Sequence, residues 1–174
     1  MFDRIDKAAD TFFDGYRGRR GPDAAAAALS NLADYGIVWV VLAGGKGRRR
    51  GDARRRAAEA LTYSGVVSFA VNKVVKAVVQ RERPDNSLQL GSVPVRAPSS
   101  SSFPSGHTLA AFSTAVVLPT TPAGTAACVA FASTVAISRV HLRHHHASDV
   151  LGGAAIGAAL GLVGRQLLRR RGRE

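Results

Sequence analysis

The stretch that decides the fold is SDVLGGAAIGAALGLVGRQLL, residues 148–168, because it is predominantly apolar over nearly the length of a membrane helix. A helix needs roughly 20 consecutive apolar residues to cross a bilayer. Within the stretch, Gly153, Gly157 and Gly161 recur at every fourth position. Small residues at this spacing let two helix backbones approach closely in lipid, so the three glycines predict a packing face.

Four further apolar segments precede this stretch, and together they predict an all-α, polytopic transmembrane helical bundle of about five spans. These segments cover residues 24–43, 57–79, 104–118 and 125–141. The short turn at 119–124 requires the helices on either side of it to be antiparallel. Asp34 leaves the first segment open to two interpretations: the helix begins in the interface, or the carboxylate points into the bundle.

Residues 1–20 form a separate amphipathic element ahead of the spans. Aromatic and aliphatic side chains recur there at helical spacing between acidic residues, which is typical of a helix on a membrane surface. A helix packed against the rest of the domain fits the pattern equally well. The expected organisation is one domain over 1–174, with 24–168 as the transmembrane bundle and 169–174 as a basic cytoplasmic tail.

The net charge of +12 fits two classes of protein. Nucleic-acid binding uses a basic face, often with aromatic residues that stack on bases, whereas membrane proteins hold their positive charge in cytoplasmic loops. Aromatic residues make up only 6% of the chain and do not alternate with basic ones, which favours the membrane class. The basic segments at 46–56 and 165–173 then face the cytoplasm. Residues 81–103 and 139–148 share the extracytoplasmic side of the plasma membrane.

Three polar clusters fall at that extracytoplasmic face and predict a phosphate-binding cradle. They are Lys76 with Arg83, Ser105-Gly106-His107, and Arg139 with His145 and Asp149. Arginine side chains suit a tetrahedral oxyanion because their guanidinium groups make bidentate contacts. Ser105 and Gly106 open a helix, whose free backbone N–H groups and positive dipole end favour an anion.

Two histidines and a carboxylate supply the chemistry of this cradle. A neutral imidazole can attack phosphorus if its second nitrogen donates to a carboxylate. His145 and Asp149 are four residues apart, and therefore lie on one face if they share a helical turn. His107 is placed to protonate the departing alkoxide as a general acid.

No metal or other cofactor is expected at this site. Cys128 is the only cysteine, which excludes thiol-based zinc sites and intramolecular disulfides. No cluster of acidic residues suited to a catalytic magnesium ion is apparent. The histidines around His145 are expected to be solvated loop residues rather than metal ligands; they are His141, His144 and His146.

The ordered set of clusters resembles the three signature motifs of the type 2 phosphatidic acid phosphatase superfamily, which also holds soluble bacterial acid phosphatases and vanadium haloperoxidases. The matching residues are Lys76-(six residues)-Arg83-Pro84, Pro104-Ser105-Gly106-His107 and Ser138-Arg139-(five residues)-His145-(three residues)-Asp149. A single Pro-Ser-Gly-His would be weak evidence, whereas three motifs in order with the family's internal spacings are specific. The resemblance covers residues 76–149.

The resemblance implies an integral-membrane lipid phosphatase with a phosphohistidine at His145, a general acid at His107, and Asp149 orienting His145. Phosphate binding is implied for Lys76, Arg83, Ser105, Gly106 and Arg139. Membrane members act on phosphatidic acid, phosphatidylglycerol phosphate, or polyprenyl phosphates and diphosphates. The small size and composition are similar to actinobacterial members assigned to decaprenylphosphoryl-phosphoribose dephosphorylation in cell-wall arabinan synthesis. Expected partners are the lipid phosphate and membrane lipids, not nucleic acid; homo-oligomer formation is left open.

Two other functions compete with the lipid phosphatase. A vanadate-dependent haloperoxidase would use the same cradle, although those enzymes are soluble and much larger. A non-catalytic basic membrane or nucleic-acid-binding protein would leave the ordered motifs unexplained. Around the motifs, the serines at 99–102 are interpreted as a flexible loop, and Arg81 and Arg143 either assist a diphosphate or have no specific role.

Overall fold

The computed structural model describes residues 2–34, 39, 51–85 and 100–171, and this part of the chain is helical and contains no strand. The all-α fold is therefore confirmed for the described residues. The helices are α1 (Phe2–Asp14), α2 (Arg20–Asp34), α3 (Gly51–Val79), α4 (Gly106–Val117), α5 (Pro122–His141) and α6 (Ala147–Arg171).

Two of these helices, α5 and α6, are long and apolar enough to cross a membrane, while α4 is apolar but shorter. The predicted spans at 125–141 and 148–168 agree with them. The span predicted at 57–79 lies within α3, which also carries charged residues along its length. The span predicted at 24–43 falls partly outside the described residues.

Helix α4 lies at the centre of the fold and packs against α3, α5 and α6. Its closest approach is to the glycine face of α6. A Cβ atom added to Gly153 would lie 2.8 Å from the Ser105 carbonyl oxygen, and one added to Gly161 would lie 2.7 Å from the Ser113 carbonyl oxygen. Because ordinary contacts begin near 3.4 Å, the two backbones can meet only where side chains are absent. The predicted packing face is confirmed.

Polar side chains explain where α5 begins and how α4 is held against α3. Pro122 occupies the first turn of α5, and the Thr121 side chain accepts a hydrogen bond from the Gly124 backbone N–H at 3.1 Å. Between α3 and α4, the hydroxyl groups of Ser64 and Thr114 form a buried hydrogen bond of 2.7 Å. This bond satisfies two polar groups that would otherwise be costly in an apolar interior.

The amphipathic helix α1 packs against α5 and α6. Of the two interpretations of this segment, the structure therefore shows the helix packed against the rest of the domain. The chain after α1 is anchored by Arg17, whose Nε donates to the His141 carbonyl and whose Nη2 donates to the Val140 carbonyl, each at 2.8 Å. These carbonyls belong to the last turn of α5, where backbone acceptors lack partners within the helix. Arg17 therefore ties the N-terminal segment to the end of α5.

Candidate active site

The three motifs converge at one end of the helical bundle. Lys76 lies in the last turn of α3, His107 in the first turn of α4, and Arg139 in the last turn of α5. His145 follows in the loop that leads into α6, and Asp149 lies in the first turn of α6. The antiparallel arrangement expected for the helices joined at 119–124 therefore brings the second and third motifs to the same end.

His145 is held as a neutral imidazole of defined tautomer. The side chain is only 2% exposed, and its Nδ1 lies 2.7 Å from the carbonyl oxygen of Ser102. Because a carbonyl can only accept, Nδ1 carries the hydrogen and Nε2 keeps a free electron pair. Burial, followed by the positive charges of Arg83 and Arg139, lowers the pKa of His145 from 6.5 to about 2. The imidazole is therefore neutral rather than cationic at neutral pH.

Asp149 reaches His145 through Ser102 rather than directly. Its Oδ2 lies 3.9 Å from Nδ1 of His145, which is beyond hydrogen-bond range. The same oxygen accepts hydrogen bonds from the Ser102 hydroxyl and from the His146 backbone N–H, the latter at 2.9 Å. The direct hydrogen bond implied for orienting His145 is thus absent from this structure. The Ser102 carbonyl fixes the imidazole while the Ser102 hydroxyl binds the carboxylate.

The cationic side chains of the site are oriented by the segment that precedes the second motif. Lys76 donates to the Ser100 hydroxyl at 3.0 Å. Arg83 donates from Nε to the Ser100 carbonyl at 2.8 Å, and from Nη1 to the His144 carbonyl. Its Nη1 also lies 3.4 Å from Nε2 of His145. Arg83 therefore places positive charge beside the free electron pair of His145.

Arg139 is the most deeply buried of these cations, at 2% exposure. Its Nη1 donates to the hydroxyl of Ser30 on α2. The neighbouring His141 lies 2.8 Å from Asp23, also on α2. Helix α2 therefore supports the last turn of α5 through two polar contacts. Because a buried charge is costly without partners, Ser30 helps to maintain Arg139 inside the protein.

The second motif presents the N-terminus of α4. Ser105 is fully buried, and its backbone N–H donates to the Asp149 carbonyl at 3.1 Å, which joins the second and third motifs. Its side chain makes no capping bond to α4 and instead accepts a hydrogen bond from the Thr108 hydroxyl at 2.9 Å. A Cβ atom at Gly106 would lie 2.9 Å from Nδ2 of Asn72. The glycine thus allows α3 to approach the N-terminus of α4, where backbone N–H groups favour an anion.

The described members of the serine run lie in a loop, as predicted, but they make specific contacts that the sequence interpretation did not assign to them. Ser100 binds Lys76 and Arg83, Ser101 accepts from the Arg81 backbone N–H at 3.0 Å, and Ser102 connects His145 to Asp149. Ser99 lies outside the described residues. Their position in the sequence could have indicated these contacts. The serines immediately precede the second motif, so the segment that leads into the phosphate-binding cradle must pass close to the other residues of the cradle.

Arg81 and Arg143 also differ from expectation, because both bind carboxylates of the protein. Arg81 pairs with Asp6 at 2.7 Å and with Asp149 at 2.5 Å, and Arg143 pairs with Asp14 at 2.8 Å. Arg81 is therefore committed to the protein rather than to a second phosphate. The role of Asp6 could not be inferred from its spacing, because it occupies one of several acidic positions on the amphipathic helix.

The neighbouring histidines were expected to be solvated, and this was wrong for two of them. His141 is 5% exposed and His144 is 2% exposed, whereas His146 is partly exposed. Their burial does not create a cluster of metal ligands: over residues 2–34, 51–85 and 100–171, no three His, Cys, Asp or Glu side chains lie close enough to hold an ion together.

The sequence of residues 57–173, more than half of the chain and including all three motifs, matches the model of the PAP2 superfamily. The chain belongs to the PAP2 superfamily. The decaprenylphosphoryl-5-phosphoribose phosphatase of Mycobacterium tuberculosis is 33% identical over 161 residues, which cover 88% of each chain. The enzyme of the same name from Mycolicibacterium smegmatis is 35% identical over 139 residues, covering 78% of this chain and 73% of its own.

Solved PAP2 structures share the fold. The transmembrane PAP2-type phosphatidylglycerolphosphate phosphatase of Bacillus subtilis superposes with a TM-score of 0.75 at 24% identity, covering 97% of this chain and 86% of its own. LpxE of Aquifex aeolicus gives 0.60 at 23% identity, covering 90% and 93%. With the apolar helices α5 and α6, these matches identify a membrane protein. The predicted family and the predicted class of enzyme, a phosphatase acting on lipid phosphates, are confirmed.

Proposed function

We propose that this PAP2 protein removes the phosphate from a polyprenylphosphoryl-pentose phosphate through a phosphohistidine formed on His145. The observation that carries the reaction type is the pinned imidazole: Nδ1 donates to the Ser102 carbonyl, and Nε2 faces Arg83. The identity to the mycobacterial phosphatases over most of both chains supports the substrate class. The remaining candidates are phosphatidylglycerol phosphate, phosphatidic acid and polyprenyl phosphates or diphosphates.

In the first chemical step, Nε2 of His145 attacks phosphorus and the bond to the leaving alkoxide breaks. His107 gives its proton to that alkoxide as a general acid. The resulting imidazolium keeps its Nδ1 hydrogen bond to Ser102, while the carboxylate of Asp149, 3.9 Å from Nδ1, contributes negative charge nearby. In the second step, water loses a proton to neutral His107 and attacks phosphorus, which releases phosphate and regenerates the free Nε2.

The phosphate oxygens would be bound by Lys76, Arg83 and Arg139 together with the start of α4 at Ser105 and Gly106. Positive groups arranged around the phosphorus stabilise the transition state more than the ground state, because negative charge builds up there during transfer. Lys76 and Arg83 already have fixed partners in Ser100, and Arg139 has one in Ser30. These groups are therefore preorganised and need little rearrangement when substrate binds.

The proposed organisation is a single domain with about five spans in the plasma membrane and the site facing the extracytoplasmic side. The basic tail after α6 would then face the cytoplasm. Helix α1 would lie at the outer interface, where its exposed Phe2 and Phe12 contact lipid head groups while its other face packs on α5 and α6. With α1 at the interface, the site would lie close to the lipid head groups, so the phosphate of a lipid substrate would need to move only a short distance from the membrane surface to reach it.

Phosphate release in detergent micelles containing EDTA tests the function. The substrates are a polyprenylphosphoryl-pentose phosphate, phosphatidylglycerol phosphate, phosphatidic acid, and polyprenyl mono- and diphosphates. We expect release to be fastest from the first and to disappear in His145→Ala. His146→Ala is the matched control, because the neighbouring imidazole can be removed while its backbone N–H still binds Asp149.

Three outcomes would contradict the proposal. Equal activity in His145→Ala and wild type would exclude the nucleophile. Loss of activity in EDTA with recovery in magnesium would exclude the metal-independent mechanism. Faster release from phosphatidic acid or phosphatidylglycerol phosphate would leave the phosphatase but exclude the proposed substrate. Competitive inhibition by vanadate, a mimic of the phosphoryl transition state, is expected alongside.

A further inference from the structure

A carboxylate from the N-terminal helix is buried directly behind the active site. Asp6 of α1 is 7% exposed, although Asp3 and Lys7 on the same helix are exposed. Its Oδ1 accepts the backbone N–H of Ser148 and its Oδ2 accepts the Ser148 hydroxyl, each at 2.8 Å. Ser148 lies in the first turn of α6, where backbone N–H groups have no partner within the helix. Asp6 thus caps α6 from another part of the chain.

Arg81 bridges Asp6 to the carboxylate of the third motif. Its Nη2 donates to Asp6 at 2.7 Å, while its Nη1 donates to Asp149 at 2.5 Å and to the Ser148 hydroxyl at 2.7 Å. Its backbone is fixed as well, because its carbonyl accepts the Ser102 N–H at 2.8 Å. The guanidinium therefore lies between two carboxylates and beside the segment that holds His145.

Charge explains why a second carboxylate is useful at this position. Arg81 facing Asp149 alone would neutralise the carboxylate that lies nearest to the imidazole. With Asp6 present, one guanidinium is shared by two carboxylates, and the group keeps a net negative charge. Burial acts to raise the pKa of Asp6, but hydrogen bonds from Ser148 and Arg81 outweigh it and lower the pKa, so the carboxylate stays ionised.

We infer that Asp6 is a positioning residue of the phosphatase site: it holds Arg81 against Asp149, and through Ser102 this keeps His145 in its reactive orientation. The inference rests on the proposed function, and it extends the active site to the N-terminal helix, which lies outside the region matched to the PAP2 superfamily. Neither the three motifs nor their spacing assigns a role to Asp6 or Arg81.

The test compares Asp6→Asn with Asp3→Asn, a matched control because Asp3 is an exposed acid on the same helix. Because a misplacement of about 1 Å at a reacting group can cost about 100-fold in rate, we expect kcat to fall about tenfold in Asp6→Asn. KM should stay within about twofold, because the phosphate is held by Lys76, Arg83 and Arg139. Asp3→Asn should match wild type in both constants.

A double-mutant cycle separates this role from a general loosening of α1. Asp6→Asn is repeated in an Arg81→Gln background, where the bridge is already broken, and the melting temperature of every variant is measured in detergent. If Asp6 acts through Arg81, the second substitution should lower kcat by less than about twofold. A tenfold loss in both backgrounds would overturn the inference, because Asp6 would then act independently of Arg81.

Two further outcomes also decide the question. Wild-type kcat in Asp6→Asn, with hydrolysis still abolished in His145→Ala, would refute the positioning role and leave the proposed function intact. A wild-type protein that is inert on every phosphate of the panel would overturn both proposals.

Discussion

Replacement of Gly153 by alanine should slow catalysis while leaving the protein folded. Gly153 lies one turn after Asp149 on α6, and its Cα faces the Ser105 carbonyl at the start of α4. A Cβ atom there would be 2.8 Å from that oxygen, so one backbone must move by about 0.6 Å to reach an ordinary contact of 3.4 Å. The movement separates the second motif from the third, because Ser105 and Asp149 are joined by a backbone hydrogen bond.

The two expected magnitudes follow from that displacement. Overpacking a well-packed interface typically costs about 1–3 kcal/mol, and a membrane bundle should remain folded after such a loss. In catalysis, a misplacement of about 1 Å can cost about 100-fold, so a shift of 0.6 Å should lower kcat by at least about tenfold. Gly153→Ala should therefore remain folded but hydrolyse substrate slowly.

Two glycine variants serve as controls in the same assay of phosphate release and thermal unfolding. Gly161→Ala introduces a similar clash, 2.7 Å from the Ser113 carbonyl, but two turns farther from the site. It should lose stability comparably and retain more activity. Gly65→Ala meets no atom within 4 Å and should leave both properties close to wild type. The reasoning is refuted if Gly153→Ala and Gly161→Ala lose activity equally, because distance from the cradle would then have no effect.

Three further predictions concern the groups that hold the site together. Ser102→Ala keeps the carbonyl that binds His145 but removes the hydroxyl that binds Asp149, so kcat should fall about tenfold with little change in KM. Ser30→Ala removes the hydroxyl that accepts a hydrogen bond from buried Arg139 and should cost about 1–3 kcal/mol in unfolding free energy, measured against Ser133→Ala, whose hydroxyl binds within its own helix. The third concerns pH: neutral His145 takes up a proton on unfolding, so stability is retained above pH 6.5 and falls as the pH decreases towards about 2. The decrease should be shallower in His145→Asn by up to about 1.4 kcal/mol per pH unit, and identical slopes would contradict the buried neutral state.

The sequence predicted the parts of the site that depend on local spacing. The polar motif residues lie in or next to the first or last turns of helices. The short turn at 119–124 forces α4 and α5 to be antiparallel. These two constraints were enough to predict that His107, Arg139 and His145 lie at one end of the bundle. The glycine face of α6 was predicted for a similar reason, since a four-residue repeat stays on one side of a helix.

Contacts between residues distant in sequence could not be predicted in this way. The spacing of His145 and Asp149 suggested a direct hydrogen bond, but His145 precedes α6, and the two side chains are 3.9 Å apart. Ser102 fills the gap from a segment that was interpreted as flexible. A run of serines has no apolar periodicity, so the sequence does not distinguish a loop in solvent from a segment packed against an active site.

Buried polar pairs on α1 and α2 explain why the three motifs alone do not complete the site. The first and third motif regions contain cationic or imidazole side chains with partners in the first 30 residues: Arg81 binds Asp6, His141 binds Asp23, and Arg139 binds Ser30. Leaving such a group unpaired in the interior costs free energy, so the N-terminal helices are needed to keep these side chains buried and oriented. The region matched to the PAP2 superfamily begins only at residue 57. The candidate catalytic end of this small phosphatase is therefore assembled from two parts of the chain: the motifs contain the residues proposed to react, and α1 and α2 hold the surrounding charges in place.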